Sequence, residues 1–168
     1  MLYSFNVAIK IERIDCEFAG GLQDQYSASF GGFNFIEFKD FNIMHRFDIP
    51  EYVLNELEQS IILYYTGKSR KSSEIIKTQK EQSESHDSKY FKLMDEIKES
   101  TYTIKGLLIN NDIESLGKEI KKTWMIKKRI SNEVTNKYIE DTISRIEGQC
   151  SGIYGYKVTG AGGGGCGG

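Results

Sequence analysis

Apolar residues between Leu2 and Phe18 fall at Leu2, Phe5, Val7, Ile9, Ile11 and Ile14, close to a 3.6-residue period, and predict a helix that ends before Gly20-Gly21. Leu22 to Phe30 reads as a second, shorter helix between Gly20-Gly21 and Gly31-Gly32, with Asp24 in the first turn, where the helix dipole tolerates a carboxylate. The period then changes to two. Phe33 to Phe38 is rich in aromatic residues, and Phe41, Ile43, His45 and Phe47 alternate with Asn42, Met44 and Arg46, so two strands are expected around a turn at Lys39-Asp40. His45 lies on the apolar side of that alternation and is expected in the core.

Pro50 sits where a helix can begin, and Val53, Leu54 and Leu57 share one side of the segment from Glu51 to Gln59. A domain division is therefore expected at 49/50. Ser60 to Thr66 is a continuous apolar run of strand length closed by Gly67, and a polar helix is expected from Ser69 to about Gln82. Three amphipathic helices follow. Tyr90, Leu93, Met94, Ile97, Ile104 and Leu107 mark the first, Ile113, Leu116, Ile120 and Trp124 the second, and Ile139, Ile143 and Ile146 the third. Asn110-Asn111-Asp112 supplies a stop and a new N-cap, as does the stretch from Ser131 to Asn136. A last strand is expected from Ile153 to Thr159.

Composition narrows the function classes. The 168 residues carry Lys+Arg 22 against Asp+Glu 24, a net charge of −2, which argues against a basic nucleic-acid binder. The lysine-rich helix with Lys118, Lys121, Lys122, Lys127, Lys128 and Arg129 has an apolar opposite face and no aromatic platform, so its charges read as a solvated face. No apolar run approaches the ~18 residues needed to span a bilayer, and Met1 to Lys10 is unlike an export signal. Cys16, Cys150 and Cys166 are odd in number and widely spaced, and read as reduced thiols of a cytoplasmic protein rather than a zinc or disulfide site.

Eight of 17 glycines fall after Tyr154. In the loop from Val158 to Cys166, residues without Cβ atoms allow backbone N–H groups to converge on an anion, as a phosphate-cradling loop requires. The loop matches neither the Walker pattern nor the dinucleotide fingerprint. Lys68, Ser69 and Arg70 stand at an expected strand-to-helix junction, either as a phosphate-binding turn or as a basic solvated one.

The segment Lys157 to Cys166 resembles the third glycine motif of the GHMP kinases, the superfamily of galactokinase, homoserine kinase, mevalonate kinase and phosphomevalonate kinase. Gly20 to Gly32 independently resembles the glycine-bounded Asp-Gln segment that carries the catalytic aspartate of its sugar kinases. Phe33 to Phe38 and Tyr64 to Arg70 are similar to the branch acting on the anomeric hydroxyl of D-glycero-D-manno-heptose 7-phosphate, and the likeness runs nearly end to end.

This resemblance implies an α+β, two-lobe GHMP fold: residues 1–49 from the rear of the N-terminal lobe, and 50–168 from a ferredoxin-like C-terminal lobe, incomplete at its end. It implies ATP and Mg²⁺ as cofactors and a sugar phosphate as substrate, and leaves room for a homodimer. Asp24 takes the catalytic position, as base or positioner of the acceptor hydroxyl; by position alone it would more often be a helix cap. Gly160, Ala161, Gly162, Gly163, Gly164 and Gly165 take the nucleotide phosphates. Gln25, Tyr26, Lys68, Ser69 and Arg70 take the sugar phosphate, and Glu12 the metal. The serine-rich phosphate loop of the N-terminal lobe has no counterpart here, so the chain reads as truncated at both ends and inactive alone. The alternatives are a fucose- or galactose-type kinase of the superfamily, or a non-catalytic remnant of the fold.

Overall fold

Two units, Met1–Glu51 and Tyr52–Gly168, organise the chain, and the computed structural model describes residues 2–18, 20–66, 81, 87–160, 162 and 166–167. In the first unit, helix α1 (Leu2–Ile9) widens into a π-helical turn (Lys10–Asp15), closed by the Cys16 N–H donating to the Ile11 carbonyl at 2.9 Å. The helix expected as far as Phe18 therefore stops at Asp15. Arg13 supplies the physical reason: its guanidinium donates to the carbonyls of Phe18 (3.0 Å) and Gly21 (2.7 Å) and folds the following chain back toward the helix. Ile11, Ile14 and Phe18 remain exposed instead of completing an apolar stripe.

Helix α2 (Gln23–Phe30) then packs on α1 through aromatic rings. Tyr26 stands 4.3 Å from Phe5, 5.8 Å from Phe30 and 5.9 Å from the half-exposed Phe38, centroid to centroid, and Phe5 and Tyr26 are buried at the centre of this cluster. Strands β1 (Phe33–Glu37) and β2 (Ile43–Phe47) pair antiparallel with Phe33 opposite Phe47 and Phe35 opposite His45. His45 is not the core residue expected. Its side chain is 52% exposed and lies 3.4 Å from Glu37, because a carboxylate on the same face of a two-stranded ribbon keeps that end hydrated.

The second unit opens with α3 (Glu51–Ser60), where Val53 is fully buried. The apolar run from Ser60 to Thr66 does not form the full strand expected. Ser60 ends α3, Ile61, Ile62 and Leu63 are exposed, and among the described residues only β3 (Tyr64–Tyr65) pairs, with β4 (Cys166–Gly167). A strand extends only where a partner supplies ladder hydrogen bonds, and the described part of β4 pairs two residues. The polar helix expected from Ser69 to Gln82 lies outside the described residues, save for Glu81.

The three amphipathic helices are α4 (Ser88–Ile109), α5 (Ile113–Ile130) and α6 (Lys137–Gln149). Asn111 adopts a left-handed φ of 55°, and the Asp112 N–H returns to the Leu107 carbonyl at 3.0 Å, a Schellman stop for α4. Asp112 then caps α5 by accepting from the Ser115 N–H at 3.0 Å, and Asn136 caps α6 by accepting from Ile139 at the same distance. Helices α4 and α5 pack along their length through Leu93, Ile126 and Ile130, with the buried Ser100 hydroxyl donating to Glu119 at 2.6 Å. A second cluster joins Trp124, Val134, Ile139 and Val158.

Residues 153–159 do not form the strand expected, and Val158 alone makes a bridge. Gly155 lies so close to Gly117 of α5 that a Cβ on Gly155 would stand 1.8 Å from the Gly117 carbonyl oxygen. The segment is thus held against a helix surface at Gly155.

Candidate functional site

In the first unit, the predicted residues Glu12, Asp24 and Gln25 fall on the π-helical turn and the first turn of α2. The wider π turn carries Glu12 and Arg13 at adjoining positions, a distortion often found where side chains must be aimed. Gln25 is 3% exposed and donates from Nε2 to Glu12 Oε2, while Arg13 Nη2 lies 3.4 Å from Glu12 Oε1. Both carboxylate oxygens of Glu12 are therefore engaged. Gln25 Oε1 and Arg13 Nε are buried without a hydrogen-bond partner among the described residues.

Asp24 differs from these neighbours. It is exposed, the N-cap position belongs to Leu22, and no partner holds its carboxylate among the described residues. A carboxylate on the first turn that caps nothing is available to accept a hydrogen bond or a proton from another molecule. Tyr26, expected to touch substrate, is 9% exposed and belongs to the aromatic core, where its ring fixes α2 against α1.

Glu12, expected to meet the metal, has both carboxylate oxygens engaged by side chains of its own unit. A guanidinium at 3.4 Å already balances its charge, and no group of three or more His, Cys, Asp or Glu side chains gathers among the described residues. Glu12 would therefore meet a magnesium ion as a single carboxylate ligand, with phosphate oxygens and waters completing the shell.

In the second unit, Gly160 and Gly162 have φ of 67° and 99°, and a Cβ on Gly162 would stand 2.5 Å from the Val134 carbonyl oxygen. The described part of the glycine loop is thereby laid directly on the 3₁₀ turn Asn132–Val134. Ala161, Gly163, Gly164, Gly165, Lys68, Ser69 and Arg70 lie outside the described residues.

The lysine-rich face holds what sequence reasoning missed. Five of its six cations face carboxylates: Lys118 meets Glu114, Lys121 meets Glu147, Lys122 meets Glu119, Lys128 meets Glu140 and Arg129 meets Glu96. Lys127 meets none among the described residues. Its Nζ donates to the Gly160 carbonyl at 2.5 Å, and burial, with the neighbouring Lys157 ammonium adding to it, pushes its pKa down to about 8. The available signal was spacing: Lys127 stands three residues after the buried Trp124 and three before the buried Ile130, on the apolar side of α5.

A pH dependence follows from that depressed value. Between about pH 8 and the ordinary lysine value of 10.5, the unfolded chain holds a proton that folded Lys127 has released, so rising pH favours the folded state. Urea midpoints measured across this range should rise for the parent relative to Lys127→Met. Parallel curves would contradict the burial of this ammonium.

Residues 104–168 match the family described as GHMP kinases C terminal. That segment is similar to the C-terminal domain of the GHMP kinases. Over 163 residues the chain is 36% identical to the D-glycero-alpha-D-manno-heptose 7-phosphate kinase of Campylobacter jejuni, covering 95% of this chain and 46% of that relative. The crystal structure described as a D-glycero-D-manno-heptose 1-phosphate kinase from Bacteriodes thetaiotaomicron superposes with a TM-score of 0.66 at 26% identity, covering 96% of this chain and 42% of that one. Mevalonate kinase of L. major, in complex with R-mevalonate, superposes with a TM-score of 0.68 at 14% identity over 91% of this chain and 45% of that one, a likeness of fold. The chain spans about half the length of the relatives it matches. The matched segment takes in α5, α6 and the glycine loop, and Lys127 and Lys157 with them.

Proposed function

We propose that the protein containing this chain is a sugar kinase that transfers the γ-phosphoryl group of ATP to the anomeric hydroxyl of D-glycero-D-manno-heptose 7-phosphate. The observation that carries this reading is the 36% identity, over 95% of the chain, to a relative named for that substrate. The uncommitted carboxylate of Asp24 supports it chemically. Phosphoryl transfer needs the acceptor oxygen aligned with the leaving oxygen, and a carboxylate within hydrogen-bond reach orients that hydroxyl and takes its proton. Gly160 and Gly162 belong to a loop whose backbone suits phosphate oxygens. Arg13 and Gln25 restrain Glu12 beside the turn that carries Asp24, so we assign these three a positioning task.

Magnesium is expected to enter with the nucleotide, because the ion keeps several waters and binds mainly through phosphate oxygens in enzymes of this chemistry. Exposed thiols at Cys16 and Cys150, together with ATP use, fit the reducing cytoplasm.

The two heptose kinases differ in the phosphate that their names place on the sugar, position 7 in one and position 1 in the other. Offering the purified protein ATP, Mg²⁺ and each heptose monophosphate, with fucose and galactose beside them, separates these outcomes by ³¹P NMR of the products. The expected product is a 1,7-bisphosphate formed from the 7-phosphate. Turnover confined to the 1-phosphate or to a free hexose would overturn the assignment, and no product from any sugar would favour a non-catalytic role.

A further inference from the structure

Helices α4 and α5 and the segment leading into the glycine loop border a half-open pocket of about 60 Å³ lined by Ile104, Ile120, Thr123, Trp124, Lys127, Lys157 and Val158. This is several times the space one water requires. Its polar lining is unbalanced. Lys127 and Lys157 bring two ammonium groups, Trp124 brings an indole N–H, and no carboxylate pairs with either lysine among the described residues.

Each donor departs from what a packed interior ordinarily tolerates. Trp124 is 1% exposed and its Nε1 has no hydrogen-bond partner among the described residues, whereas buried indole N–H groups are usually satisfied. Lys127 uses one of its three N–H bonds on the Gly160 carbonyl, while the other cations of α5 each face an acid. The two ammonium groups repel one another beside a buried indole N–H, and an anion placed among them would offset that repulsion and accept from all three donors. The last turn of α5 favours a cation through its carbonyl ends, but that partial charge is too small to balance two ammonium groups.

We propose that Lys127, Lys157 and the Trp124 indole N–H form a subsite for a phosphate group at the base of the glycine loop. The assignment deepens the kinase reading and rests on it for its place in the reaction: the occupant is a phosphate of the nucleotide or of the sugar. Lys127 also ties the subsite to the loop, since one ammonium serves both the Gly160 carbonyl and the anion. Filling the site therefore restrains the left-handed turn at Gly160.

Trp124 is the sole tryptophan of the chain, so its emission reports on this pocket and the cluster behind it. The test titrates the chain with inorganic phosphate against chloride of matched ionic strength, following Trp emission and melting temperature together. A saturable emission change and a phosphate-specific rise in Tm are expected. Lys127→Met and Lys157→Gln should each weaken binding about tenfold or more, as loss of a charge-assisted hydrogen bond implies. Far-UV circular dichroism checks that both stay folded, and Lys157, being exposed, can be replaced without disturbing the core. Absence of both signals up to about 20 mM phosphate, or affinity equal to the parent's in both variants, would overturn the subsite. Displacement of phosphate by a non-hydrolysable ATP analogue assigns the occupant to the nucleotide, and displacement by heptose 7-phosphate assigns it to the sugar. Displacement by neither would remove the subsite from the reaction. Phosphate binding by a protein that phosphorylates no sugar would sink the kinase reading and leave the binding site intact.

Discussion

Asp24→Asn, made in the protein with its full natural sequence, should lower kcat for heptose 7-phosphate by about 10²–10⁴-fold, the range over which a positioned proton acceptor acts. Asparagine keeps an oxygen acceptor at the same place and loses the charge and the ability to take a proton. The KM for ATP should change little, because the substitution touches the acceptor hydroxyl and not the phosphates. Melting temperature should be unchanged, since Asp24 is exposed and caps nothing. The kcat–pH profile then separates the two roles of Asp24. A base gives the parent an acidic limb that vanishes in the variant, whereas a positioner leaves the limb in place at lower amplitude. A variant retaining more than about a tenth of parental kcat would remove Asp24 from the chemistry.

Legibility in this chain follows the range of the interactions involved. Helices α4, α5 and α6 were readable because their determinants are local: Asp112 and Asn136 reach N–H groups three residues on, and Asn111 closes the Schellman turn within five. The β1–β2 pair was readable for the same reason, whereas the run from Ser60 to Thr66 was not, because Tyr64 finds its partner at Gly167, more than a hundred residues away, and an apolar run does not disclose how long its partner is. Hydrophobic alternation also misplaced His45, since Glu37 on the facing strand decides the polarity of that patch. In the candidate site, Asp24 and the glycine loop were legible as motifs, while Tyr26 and Gln25 owe their burial to Phe5 and Glu12 on a preceding turn. Lys127 was lost for the opposite reason. Counting it with five solvated neighbours by charge hid its place on the buried side of α5, where position outweighs residue type.

Gly155→Ala should be the most destabilising single-methyl change in the second unit, at about 3 kcal/mol or more, the upper range for overpacking a tight contact. The added Cβ would stand 1.8 Å from the Gly117 carbonyl oxygen and 2.5 Å from its carbonyl carbon. Both atoms are main chain of α5, so no side chain can rotate away and the segment itself must lift from the helix. Gly117→Ala meets the same contact from the other side, with its Cβ 2.6 Å from the Tyr154 Cβ, and should be nearly as damaging. The two changes should be non-additive, because the first already opens the gap that the second needs. Gly106→Ala in α4 is the control: nothing lies within 4 Å of its Cβ, and replacing an interior helical glycine should stabilise by about 0.5–1 kcal/mol. Urea midpoints decide between these expectations. The consequence reaches beyond stability, because residues 153–159 run directly from the Gly117 contact into Lys157 and Val158 and on to the glycine loop. Lifting the segment carries Lys157 away from Lys127, so Gly155→Ala should weaken phosphate binding under conditions where the helices remain folded. Unchanged binding together with a lowered urea midpoint would mean that the loop and its two lysines hold their geometry independently of the helix contact.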